Sequence, residues 1–380
     1  MVTTQAVAGD YVHQVNTLIG TKGTGLTSGY LYPGATYPYG MVQFTPSYFS
    51  KRSGFVINQL SGGGCEHMGN FPTFPVKGKL KMSPDNILNY RINVSEEKGH
   101  AGYYEAKVQE DIHAKLTVTE RTGMASYEYP ADQQYGTVII GGGISATPID
   151  QAAIVITAPN KCEGYAEGGN FCGLRTPYKV YFVAEFDTDA LESGTWKRDE
   201  LKPNTTFAEG EYSGVYFTFD VDKKKNVQYK IGVSYVSVEN ARENLKAENT
   251  GWDFLQIQNQ AESKWNHYLG KIEVEGTNPD RTTQFYTHLY RSFIHPNVCS
   301  DVNGEYMGAD FRVHKSRSKH YTSFSNWDTY RTQIQLLSIL DPEVASDIVI
   351  SHQLFAEEAG GAFPRWVMAN IETGVMQGDP

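Results

Sequence analysis

Apolar and polar residues alternate along the first part of the chain. Between residues 108 and 118, Val108, Ile112, Ala114, Leu116 and Val118 share one parity, and Gln109, Asp111, His113, Lys115 and Thr117 share the other. Successive side chains of a strand point to opposite faces, so this spacing predicts a strand over 108–118 with one buried and one wet face. The same rule separates Val227, Tyr229, Ile231, Val233 and Tyr235 from Gln228, Lys230, Gly232 and Ser234. From Tyr11 to about Ser237 the chain is rich in glycine and tyrosine, with turn residues between short apolar runs. No β-α-β alternation interrupts these runs, which predicts two packed antiparallel sheets.

The period changes at Glu239. Ala241, Leu245, Trp252, Leu255, Ala261, Trp265 and Leu269 fall at mostly helical spacings. Residues 271–275 read as one more short strand. Phe285, Leu289 and Phe293 then recur every four residues and predict a helix stopped near Pro296. Two further helices are expected over 328–340 and 342–359, the second with Pro342 in its first turn. The fold class is therefore β then α. An N-terminal antiparallel β-sandwich is expected over 1–238, a helical linker over 239–276, and the first helices of an incomplete barrel over 277–380. A tail of roughly 100 residues accommodates three or four average helices, too few to close a helical barrel. Apolar faces carrying Ile334, Leu337, Ile348 and Leu354 are expected to lack partners.

A length of 380 residues suits two or three domains. Lys and Arg total 33 against 43 Asp and Glu, and the net charge of -10 repels phosphate backbones and anionic membranes, which argues against a nucleic-acid partner. No run approaches the roughly 20 apolar residues of a membrane span. The first ten residues lack the basic and apolar regions of a signal peptide, so the protein is either cytosolic or exported with its signal removed. Cys65, Cys162, Cys172 and Cys299 are too few and scattered for a disulfide framework. Cys162 and Cys172 flank a glycine-rich stretch, where they either close a hairpin or stay as free buried thiols.

Several segments carry candidate chemistry. The glycines Gly20, Gly23 and Gly25 suggest a phosphate loop but lack its Gly-Lys-Ser/Thr ending. Cys65 stands two residues from His67, on the same side of an extended chain, yet no Asn or Asp orienter and no further zinc ligands are identifiable. A structural or ligand-lining role for Cys65 is the better reading. Trp327 and Asp328 sit where a loop enters a helix. Asp328 suits an N-cap first, and the pair can at the same time serve a pyranose ring, with the indole as platform and the carboxylate accepting two hydroxyl bonds. Arg365, Trp366 and Asp379 follow the next helix in the same manner. This recurrence at successive helix ends points to carbohydrate chemistry.

The order of motifs resembles glycoside hydrolase family 92. It runs through Tyr32, Pro33, Gly34 and Ala35, then Pro38 to Gln43, then Leu60, Ser61, Gly62, Gly63, Gly64 and Cys65. It continues through Val236 to Ala241 and Trp327 to Gln333, and closes at Gly374 to Asp379. The resemblance implies a calcium-dependent exo-α-mannosidase that inverts the anomeric centre, built from a β-sandwich and an (α/α)6 barrel. It implies that Gly64, Cys65, Trp327, Asp328, Trp366 and Asp379 line the pocket for a terminal mannose. Many members carry His-x-His where Ile57, Asn58 and Gln59 stand here. The family's acid, base and most calcium ligands are implied to lie beyond Pro380, so no catalytic or metal-binding residue is assigned in this chain. Glu357, Glu358 and Glu372 are read as exposed carboxylates.

The expected activity is hydrolysis of terminal α-linked, α-1,2, mannose from mannose-rich glycans in a periplasmic or extracellular setting, with a companion chain completing the barrel. Two other classes stay open. One is a non-catalytic carbohydrate-binding protein, and the other is a cysteine hydrolase using Cys65 and His67.

Overall fold

A computed structural model describes residues 9–22, 29–47, 54–84 and 94–376. The β-rich half folds into an eight-stranded and a nine-stranded sheet, and their strand pairings are antiparallel. Between the sheets lies an apolar core in which aromatic rings meet across the gap. Phe55 contacts Tyr104 and Tyr127, Phe44 contacts Tyr229, and Phe186 contacts Phe217, at centroid separations of 6.3, 6.4, 6.4 and 4.9 Å. All are buried, and each such ring contributes about 1.5–3 kcal/mol over its exposed state.

The expected single strand over 108–118 is a hairpin. Strand Tyr103–Val108 turns at Gln109 and Glu110, both with positive φ, and returns as strand Ile112–Val118, with Val108 opposite Ile112. Parity survives the reversal because paired residues point to the same face. No Gly, Pro or Asn marks this turn, and its one sequence signal is Glu110, a polar residue on the otherwise apolar parity.

Among the described residues six α-helices follow: α1 Val238–Glu248, α2 Phe254–Leu269, α3 Pro279–Ser292, α4 Asn326–Thr329, α5 Gln333–Leu340 and α6 Pro342–Glu358. Ser237, Asp253, Asn278 and Asp341 cap four of them through side-chain oxygens. Helix α1 packs on the outer face of strand Asn226–Ser234, which corrects the expectation that this face is wet. Gly232 and Ser234 are buried there, and Lys230 is buried with Nζ donating to Asn249 O at 3.1 Å. A Cβ at Gly232 would lie 2.4 Å from Ala241 O, so glycine permits this close approach.

Residues 271–275 form no strand; Ile272 and Val274 pack against the helical core instead. The helix expected over 328–340 is broken into α4 and α5 at Thr332, whose φ is 68°. Leu337 and Ile348 are buried, contrary to expectation, whereas Ile339 and Val349 are exposed. Among the described residues, no helix is long and apolar enough to cross a membrane.

The two halves meet through residues 38–43. Tyr39 N–H donates to Phe293 O, and Tyr39 O accepts from Val298 N–H, both at 2.8 Å. Its ring lies edge-on to Tyr268, Phe293 and Tyr321. Below α1, Asp301 accepts from Ser234, Asn240 and Asn244 at 2.6, 2.9 and 2.6 Å. Two of the motifs quoted above, 38–43 and 236–241, therefore serve the domain junction.

Candidate active site

The glycine loop 60–64 is held from both halves of the molecule. Leu60 N–H donates to Nε2 of His67, and Ser61 N–H donates to Nε2 of His295, each at 2.8 Å. Both rings are thereby set with a free lone pair on Nε2 and the proton on Nδ1. His67 Nδ1 then faces Cys65 O at 2.7 Å, and His295 Nδ1 faces Asn297 Oδ1 at 2.6 Å. Asn297 in turn donates to Gly40 O and Ile294 O. Burial pushes both imidazoles down to about 4. A Cβ at Gly63 would lie 2.8 Å from His67 Cε1, so glycine is required for the loop to pass this ring.

Cys65 is bonded to Cys172, which corrects the pairing considered for Cys162 and Cys172. Cys162 and Cys299 are free and buried, and burial raises both thiols, which leaves them poor nucleophiles. The cysteine-hydrolase reading fails on the same facts. Cys65 has no thiol to ionise, and His67 spends its acceptor nitrogen on Leu60.

From Cys172 the contacts lead into the helical half. The neighbouring Phe171 ring packs on Trp366 at 4.6 Å. Trp366 forms an isolated bridge with Ser325, and Asn326 N–H donates to Arg365 O at 3.1 Å. Ser325 caps α4, so Asp328 is its third residue rather than the N-cap expected from the sequence. The hydroxyl of Ser325 donates to the Asp328 carboxylate. Asp328 is exposed and Trp327 is 48% exposed, whereas Trp366 is only 7% exposed and offers little ring surface.

Glu372, read above as an exposed carboxylate, is only partly exposed and holds a loop in place. Glu372 accepts from the N–H groups of Arg365, Trp366 and Gly374 at 2.7, 3.3 and 2.8 Å, and so organises the loop carrying Trp366. No sequence signal marked this role; Glu372 stands opposite Val367 in the ribbon of Val367–Met368 and Ile371–Glu372, a pairing that only the fold creates. Glu358 is likewise only partly exposed, accepting from Tyr306 OH at 2.6 Å and Ala309 N–H at 3.0 Å. Of the three glutamates, Glu357 alone is exposed as expected.

The segment Ile57, Asn58 and Gln59 is buried. Asn58 exchanges two hydrogen bonds with Asn70, at 3.0 and 2.8 Å, and Tyr178 OH donates to Asn70. These residues support the loop from within the sandwich. Contacts thus run from Cys65 through Trp366 to Asp328, with Gly64 and Trp327 beside them in the chain, while Asp379 lies outside the described residues.

Calcium takes oxygen ligands. Among the described residues, the groups close enough to share an ion are His13, His100 and Glu262, and Asp310, His314 and Glu358. Each includes imidazole, so neither donor set fits calcium, and no step is derived through that ion.

Residues 14–234 match the N-terminal domain of glycosyl hydrolase family 92, and residues 240–380 match its catalytic domain. A protein of Arthroderma benhamiae described as an uncharacterized secreted glycosidase is 26% identical over 371 aligned residues, covering 86% of this chain and 46% of that protein. The family GH92 α-mannosidase BT3965 from Bacteroides thetaiotaomicron superimposes with a TM-score of 0.88 at 25% identity, over 97% of this chain and 52% of its own. The inverting mannosidase BT2199 from Bacteroides thetaiotaomicron VPI-5482 gives 0.81 at 25% identity, over 96% and 50%. The chain therefore spans about half the length of these relatives.

Proposed function

The chain belongs to glycosyl hydrolase family 92, and on that footing we propose that it forms part of an inverting exo-α-mannosidase that removes terminal α-1,2-linked mannose from mannose-rich glycans. The observation that carries this reading is the continuous set of contacts from the glycine loop through Cys65, Cys172, Phe171 and Trp366 to Ser325 and Asp328. It ties a sandwich loop to two helix-end loops and leaves the Trp327 ring and the Asp328 carboxylate facing solvent together.

In this role Trp327 supplies an apolar platform for the sugar ring, and Asp328 accepts hydroxyl bonds with its orientation set by Ser325. Gly64 leaves the loop surface low enough for a sugar to approach. Inverting hydrolysis needs an acid and a base roughly 6.5–9.5 Å apart with water between them. Glu358 and Glu372 are committed to local hydrogen bonds, so the acid and base are assigned to neither.

Calcium dependence belongs to the same proposal, with ligands other than the two clusters named above. So does an exported location. A disulfide between Cys65 and Cys172 persists in oxidising compartments, and the Arthroderma benhamiae relative is described as secreted.

The test is release of mannose from α-1,2-linked mannobiose by this chain joined to the remaining part of its barrel, followed by NMR of the anomer, with calcium and then with a chelator. Chelator-sensitive release of β-mannose supports the proposal. Release of α-mannose overturns inversion, and metal-independent binding without turnover favours a carbohydrate-binding protein instead.

A further inference from the structure

Away from the sugar rim, four ligand-bearing side chains meet where three segments converge. Asp10 and His13 come from the 3-10 turn Val12–Gln14 and its approach, His100 ends strand Val94–His100, and Glu262 projects from α2. The His13 and His100 rings lie 4.6 Å apart, His100 Nε2 is 2.8 Å from Glu262 Oε1, and His13 Nδ1 is 2.7 Å from Asp10 Oδ1. One ligand atom from each of His13, His100 and Glu262 falls within 4.8 Å of the others. We infer that His13, His100 and Glu262 form a Zn2+ site, with Asp10 orienting His13.

The donor set carries the choice of ion. Two imidazoles and one carboxylate are a zinc set that leaves one position for water, whereas calcium takes oxygen ligands. Asp10 engages Nδ1 of His13 and leaves its Nε2 lone pair for metal, the carboxylate–histidine–metal arrangement that fixes ring and tautomer.

The site is also built before any ion arrives. Gln258, Glu262 and Asn266 recur every four residues on one face of α2. Gln258 donates to Glu262 Oε1 at 2.7 Å, and Asn266 Oδ1 accepts from Tyr11 N–H and Val12 N–H at 2.9 and 3.0 Å. The turn bearing His13 is thus already pinned to the helix bearing Glu262. On His100, Tyr103 packs at 5.0 Å and limits rotation of the ring. His13 is exposed and leaves a path for entry. Binding would replace the His100–Glu262 hydrogen bond by a shared ion and draw the three ligand atoms, now within 4.8 Å of one another, onto it. It would join the start of the chain, the sandwich edge and the helical linker at one point.

The second cluster fits less well. It offers one imidazole beside two carboxylates where the first offers two imidazoles beside one, a poorer match to zinc's nitrogen-rich sets. It serves as the internal control. This inference does not depend on the mannosidase reading, because its readouts are metal content and affinity.

The experiment takes the untagged chain, strips it with a chelator, and titrates ZnCl2 by calorimetry, with CaCl2 in parallel and thermal melts of both forms. One Zn2+ per chain, a raised melting temperature and no calcium response at the same site are expected. His13→Gln, at an exposed ring, is expected to weaken binding at least tenfold, and Asp10→Asn by about 10–100-fold. His314→Ala is expected to leave zinc affinity unchanged. No saturable binding, binding indifferent to His13→Gln, or binding lost in His314→Ala would overturn the site.

Discussion

His67 from the sandwich and His295 from the helical half hold consecutive backbone N–H groups, those of Leu60 and Ser61, each at 2.8 Å. Neither ring can do so when protonated, because both nitrogens then become donors. The loop thus depends on two neutral imidazoles, and burial supplies that neutrality by pushing both down to about 4.

Acid should therefore loosen the protein before its carboxylates titrate. Between pH 6.5 and 4 the unfolded chain binds protons at these positions and the folded chain does not, so stability is complete above about 6.5 and falls as the pH drops. The slope is about 1.4 kcal/mol per pH unit for each ring. Urea midpoints measured from pH 7 to pH 4 should decline, and less steeply in His295→Gln. A flat profile would contradict neutral anchoring.

Reduction of Cys65–Cys172 opens a closure between residues 107 apart and is expected to cost about 2–5 kcal/mol. Melting temperature with and without reductant checks this, with Cys65→Ser matching the reduced protein. Cys162→Ser should retain the full response to reductant, since that thiol is free.

Glu372→Gln substitutes an amide donor for one of two oxygens that together accept three N–H groups. At least one of those N–H groups loses its partner, for an expected loss of about 1–3 kcal/mol. The loop bearing Trp366 should shift, lowering mannoside affinity along with stability. Lost stability with unchanged affinity would remove Glu372 from any role in positioning the rim.

Trp327→Ala separates binding from folding. The ring is 48% exposed, so stability should change by no more than about 0.5 kcal/mol. Mannoside affinity should fall by roughly fivefold, the worth of one ring stacked on a sugar at about 1 kcal/mol. Titration of a mannoside into both proteins reads the difference, and equal affinities would exclude Trp327 as a platform.

The sequence alone determined the order of β then α, the antiparallel sandwich and most helices, because period-two and period-3.6 burial are local properties of short segments. It also pointed to Trp327, Asp328 and the glycine loop. Tertiary structure decided what depends on distant partners. Val108 and Ile112 proved to be opposite ends of a tight turn, and the expected wet face of strand Asn226–Ser234 proved to be covered by α1. Cys65 chose Cys172 over the alternatives, and His295 reached Ser61 across 234 positions. No periodicity reports such contacts. They form only when two sheets and six helices bury their apolar faces together, bringing groups without sequence proximity within hydrogen-bond or covalent reach.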